Sequence, residues 1–184
     1  PAGIGFLLED TLSEDEIKKA VGEIKNLSFE RVGQRIEVNL VALSSKSNDA
    51  SRFESALRVI MAGINIPLVL MSDDPGALRQ ALEISATKKP LVYRAGKENL
   101  SEFSALAKEF KVPLVVSAGD PQAVSDLTVE LNNKGVSDLV LDTGKKPIPE
   151  KIWDLTQIRR QALKKSNRSL GYPTLTVVDA SDPY

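Results

Sequence analysis

Four short apolar runs share one spacing: LVLM at 68–71, LVYR at 91–94, LVVS at 114–117 and LVLD at 139–142. Their starts fall 23, 23 and 25 residues apart, which is room for one strand, two short loops and one helix of about three turns. Each run is rich in β-branched residues and apolar on both faces, as a strand covered on both sides must be. A segment of helical period follows each, so the repeating unit is β/α and its strands run parallel.

The same pattern extends to both sides. Ile4 to Leu8 reads as a first strand, and Ser13 with Glu16 forms a capping box opening a helix that carries Ile17, Ala20, Val21 and Ile24 on one face. Residues 27–35 read as a polar connection to a long strand from Ile36 to Leu43, and the next helix places Phe53, Ala56, Leu57, Ile60 and Met61 on one stripe. Asp74-Pro75 and Asp120-Pro121 are N-cap and first-turn pairs, and Asn99 with Glu102 is suited to cap the helix of Phe103, Leu106, Ala107 and Phe110. A helix from about Pro149 to Lys164 is expected to bury Ile152, Leu155, Ile158 or Arg159, and Ala162. Thr174 to Val178 reads as a further strand, and Asp179 to Pro183 as another helix opening.

Seven strands and six helices in 184 residues extrapolate to an incomplete (β/α)8 TIM barrel forming a single domain, since roughly 250 residues are typical of the whole. The competing arrangement is a doubly wound open sheet. It normally carries a Gly-rich phosphate turn at its switch point, and no G-x-G-x-x-G follows any of these strands.

Composition narrows the chemistry. The net charge is −1, which gives no overall field toward nucleic acid or an anionic membrane. With neither cysteine nor histidine, these residues offer no thiolate or imidazole for metals, nucleophiles or general bases. A reducing, cytoplasmic setting fits that composition.

In a barrel the site lies where the strands end. There the chain places Asp73, Arg94, Asp142 and Thr143, the four candidates for cofactor contact. The carboxylates of Asp73, Asp142, Asp179 and Asp182 are suited to a hard cation or to the donor edge of a pterin; equally, Asp74, Asp120 and Asp182 suit N-caps while the rest solvate loops. The loop Thr143-Gly-Lys-Lys is a weak phosphate candidate. The cations Arg159, Arg160, Lys164, Lys165 and Arg168 suit an acidic partner, and they also complement the negative end of a helix dipole.

The segments LSFERVGQR (27–35), LVLMSDDP (68–75), KKPLVYRAGKENLSEF (88–103), LVLDTG (139–144) and IWDLTQIRRQALKK followed by LGYPT (152–174), with DLTQIRR and GYP the most specific part, closely resemble the large (gamma) subunit of the corrinoid iron–sulfur protein. That protein belongs to the CO dehydrogenase/acetyl-CoA synthase (decarbonylase/synthase) complex. The resemblance implies a central barrel between an N-terminal domain holding a 4Fe-4S cluster and a C-terminal corrinoid (cobamide) domain, both outside these residues. It also implies transfer of a methyl group from a methyltetrahydropterin methyltransferase to acetyl-CoA synthase in the acetyl-CoA pathway, with a small subunit as partner. No ligand residue carries over, and the segment is not expected to be catalytic alone. The alternative from a different class is a pterin-binding enzyme of dihydropteroate-synthase-like type, gripping the ring with Asp73 and Asp142.

Overall fold

The computed structural model describes residues 3–178. Its strands are β1 (Gly5–Glu9), β2 (Ser28–Arg31), β3 (Gln34–Glu37), β4 (Leu40–Ser44), β5 (Leu68–Met71), β6 (Leu91–Ala95), β7 (Leu114–Ser117) and β8 (Leu139–Asp142). Its α-helices are α1 (Glu14–Asn26), α2 (Ala50–Gly63), α3 (Pro75–Ser85), α4 (Leu100–Phe110), α5 (Pro121–Asn133) and α6 (Ile148–Lys164). The main sheet is hydrogen-bonded in the order β1-β4-β5-β6-β7-β8, which follows the chain. A doubly wound sheet must reverse its order at a switch point. This one does not, and the order is that of an incomplete barrel.

The chain divides into two compact units, residues 1–93 and 94–184. In the first, β1 pairs in parallel with β4 from Gly5 opposite Leu40 to Glu9 opposite Ser44, and β4 with β5 from Val41 opposite Leu68. The capping box forms as expected: Ser13 and Glu16 satisfy each other's free amides, and Ile17, Val21 and Ile24 turn inward. Phe53, Ala56, Leu57 and Ile60 are the buried stripe of α2, which leaves Met61 only half-buried. A Cβ at Gly63 would overlap the Val21 side chain, so the last residue of α2 packs its bare backbone against that side chain of α1.

The connection at 27–35 and the long strand after it are corrected. Residues 28–37 form a separate antiparallel hairpin, β2 with β3, turned by Val32 (φ 49°) and Gly33 (φ 70°). Asn39 ends this excursion: its amide donates to the carbonyl of Ile4 and its side chain accepts from the Ile4 amide, which starts β4 afresh beside β1. Both turn residues sit in the left-handed region, which suits a two-residue hairpin but disfavours a β-branched residue such as Val32. That cost hides the turn from a sequence reading.

In the second unit β7 pairs with β8 from Leu114 opposite Leu139 to Ser117 opposite Asp142. Asp120 caps α5 through the Ala123 amide, and in the first unit Asp74 caps α3 through Gly76, each followed by proline. Asn99 precedes α4 without capping it by its side chain, which instead accepts from the Gly96 amide and donates to the Arg94 carbonyl. After α6, Thr174 makes one parallel bridge to Leu141 in place of a full seventh strand. The Asp179 to Pro183 helix opening lies outside the described residues.

The family-like DLTQIRR and LGYPT stretches prove architectural. Ile158 and Leu170 are core residues, Tyr172 donates to Asn132 on α5, and Pro173 offers its carbonyl to Leu141. Ser125, Asn167 and Ser169 form a closed hydroxyl–amide cluster that pins the turn at 168–170 to α5.

Candidate functional site

β8 ends in a carboxylate, Asp142, only 3 % exposed. Isolated, such a group is costly to bury. Lys151, one turn into α6, meets it: Nζ lies 2.5 Å from Asp142 Oδ1 and donates also to the Gly144 carbonyl at 2.9 Å. Ser117, at the end of β7, donates to the other carboxylate oxygen at 3.3 Å. A second pair interleaves with the first, Lys146 from the connecting loop binding Asp154 of α6 at 2.5 Å. Thus the loop 143–147 is stapled at two points, and Gly144 takes its turn at φ 75°.

Thr143 is buried within this cluster, and its Oγ1 is the one buried side-chain oxygen without a hydrogen-bond partner among the described residues. The other candidates fare differently. Asp73 is exposed in the loop before α3, and Arg94 is exposed near the end of β6. Of the four, only Asp142 and Thr143 are brought together in one buried cluster.

Sequence reasoning misses Lys151 and Asp154, because the apolar positions of α6 suggest a stripe rotated toward Ile152; Ile158 is buried as expected, and Leu155 and Ala162 are half-buried. The observed inward stripe is Lys151, Asp154 and Ile158, while Ile152 points outward at 58 % exposure. The available signal is the buried-strand carboxylate itself: a helix following Asp142 must supply a cation to it.

The first unit uses a related device. Asp10, just past β1 and 2 % exposed, accepts from the amides of Lys46 and Ser47 at 2.7 and 2.8 Å and from the Ser47 hydroxyl at 2.6 Å. Burial pushes its carboxyl up, but the Ser47 hydroxyl and the two amides outweigh that and hold it below the ordinary 3.8. A depressed folded-state value adds stability that is complete above the unfolded value and is lost as pH falls through the folded one. Asp10→Ala is therefore expected to cost on the order of 2 kcal/mol at neutral pH, and chemical denaturation at about pH 3 should find the gap narrowed.

A cleft of about 490 Å³ in the first unit is lined by Lys25, Leu27, Arg35, Met61, Ile64 and Lys88 among others. It lies by the last turns of α1 and α2, away from the carboxyl ends of β1, β4 and β5. Among the described residues no three acidic, histidine or cysteine side chains converge as a metal site would require, and no helix is long and apolar enough to cross a membrane.

Fold and cluster together define a parallel α/β barrel-type segment whose strand-end carboxylates are engaged in holding its own loops. Comparison gives the family. The chain matches, over residues 1–183, the CdhD family, CO dehydrogenase/acetyl-CoA synthase delta subunit, and it belongs to that family. It is 38 % identical over 180 residues to the corrinoid/iron-sulfur protein large subunit of Moorella thermoacetica, covering 98 % of this chain and 40 % of that one. Against the acetyl-CoA decarbonylase/synthase complex subunit gamma of Methanocaldococcus jannaschii it is 33 % identical, covering 96 % and 37 %. The chain thus spans about two fifths of these relatives' length. Among solved structures, dihydropteroate synthase of Thermus thermophilus in complex with 6HMPPP superposes with a TM-score of 0.58 at 16 % identity, covering 94 % of this chain and 70 % of that one. A mandelate racemase/muconate lactonizing protein of Paracoccus denitrificans also gives 0.58, at 13 % identity, covering 95 % and 46 %. Likeness at that level speaks for the fold alone.

Proposed function

We propose that residues 1–184 are the barrel scaffold of a corrinoid iron–sulfur methyl-carrier subunit, a single TIM-barrel domain within a longer polypeptide. In this reading the 4Fe-4S and corrinoid domains belong to the rest of that polypeptide. The subunit acts in the cytoplasm with a small partner subunit, a methyltetrahydropterin methyltransferase and acetyl-CoA synthase. The observation that carries this reading is identity over nearly the whole chain to a corrinoid/iron-sulfur large subunit.

The residues themselves fit a supporting role. Without cysteine they have no ligands for the cluster. A corrinoid, when bound, supplies a cobalt that carries the methyl group. Thr143, whose buried hydroxyl has no partner among the described residues, is this chain's candidate for contact with that group, and it is reached only when the 143–147 loop opens. Asp142 is committed to Lys151 and Ser117, and it orients the loop that holds Thr143. Asp73 and Arg94 are exposed and remain candidates for the same contact or for a partner subunit.

The test uses the long natural subunit with its small partner, a methyltetrahydropterin and its methyltransferase, following cobalt methylation by the corrinoid absorption bands. The subunit is expected to cycle, while the 184-residue chain alone should show neither corrinoid bands nor tight calorimetric binding of methyltetrahydropterin. A chain that bound the pterin tightly by itself would overturn the scaffold reading in favour of a pterin enzyme.

A further inference from the structure

The inward stripe of α6 is charged, and its outward face is correspondingly unusual. Ile152, Trp153 and Leu163 are 58, 64 and 69 % exposed, and Arg159, Arg160 and Lys164 share their side of the helix. Successive outward turns therefore present an isoleucine–tryptophan pair, the small Thr156, an arginine pair, and a leucine–lysine pair. Thr156 turns its hydroxyl back onto the Ile152 carbonyl and leaves a notch between the apolar and basic ends. Along 17 residues this face is about 25 Å long.

The only tryptophan, Trp153, is thus exposed directly beside Ile152, with Leu163 further along the same face. The cations are not used internally: among the described residues Arg159, Arg160, Lys164, Lys165 and Arg168 make no ion pair. Macrodipole complementation explains only those in the last turn, and Arg159 and Arg160 lie before it.

We propose that the outward face of α6 docks a partner protein that presents carboxylates around an apolar pocket, the pocket taking Trp153 and the carboxylates taking Arg159 and Arg160. Exposed Trp and Arg are the residue types that carry interface energy. The guanidinium fork matches carboxylates in paired geometry. An anionic bilayer fits less well, because a helix lying on lipid carries its apolar stripe along the full length with cations flanking it. Here apolar and basic groups succeed one another along the axis. The inference rests on α6 alone and stands apart from the methyl-carrier reading.

Since Trp153 is the single tryptophan, its emission reports on this face directly. The full chain would be titrated with a labelled synthetic peptide of glutamates interrupted by leucines, with the lysine counterpart as control, and separately with phosphatidylserine/phosphatidylcholine vesicles. The expected result is a saturable blue shift with the glutamate peptide only, weakened by added salt. Arg159→Glu with Arg160→Glu should weaken peptide binding about ten-fold or more, and Trp153→Ala, read by peptide anisotropy, by about as much. Both positions are exposed, and unchanged circular dichroism separates lost binding from lost fold. No shift, an equal response to the lysine peptide, retention of binding in the charge-reversed variant, or a shift with vesicles in place of peptide would each overturn the proposal. So would a shift that depends only on chain concentration, which would make the occupant a second copy.

Discussion

Lys151→Met is expected to lower unfolding free energy by about 3–5 kcal/mol, because it takes from the buried Asp142 carboxylate its ammonium partner while the Ser117 hydroxyl stays in place. At about 2–4 °C per kcal/mol for a chain of this size, the thermal midpoint should fall by roughly 10 °C. The double change Lys151→Met with Asp142→Leu removes both charges and is expected to recover most of the loss. Such reversal is the mark of a pair whose value lies in mutual compensation rather than in net attraction. Denaturant midpoints of the two single variants and the double variant give the coupling directly. A double variant as unstable as the sum of the singles would mean that each side chain acts separately.

Phe53→Ala is the second large effect. The ring is 0 % exposed on the inward stripe of α2, and its truncation is expected to cost about 3–5 kcal/mol through lost burial and the cavity left behind. Phe29, 54 % exposed on β2, is the internal control, and its change to alanine should move stability by no more than about 0.5 kcal/mol. Urea unfolding of both variants separates core from hairpin. Equal losses would place the hairpin in the core against its exposure.

The β/α repeat is legible because a strand buried on both faces has an unmistakable composition, and because Asp-Pro marks a helix start by local chemistry alone. Asp74 and Asp120 need no tertiary context to be recognised. The hairpin at 28–37 is not legible, since Val32 takes a backbone conformation that its side chain resists. At the site, Asp142 and Thr143 are found by position at a strand end. Lys151 is hidden because a lone buried charge is invisible until its counter-charge is known to be buried too. The periodicity of α6 finds Ile158 but places the centre of the buried stripe too far round, toward Ile152. Asp10, by contrast, is held by backbone amides, which no side-chain pattern announces.

Because each strand of the main sheet lies against the one made just before it, apart from the short hairpin excursion, its neighbours are close in sequence. Gly5 faces Leu40, Val41 faces Leu68, and Leu114 faces Leu139. A chain leaving the ribosome can therefore lay down one strand at a time on an edge already in place. Among the described strands, synthesis and sheet growth then proceed in the same direction, and only the closure of a barrel onto β1 would join strands distant in sequence.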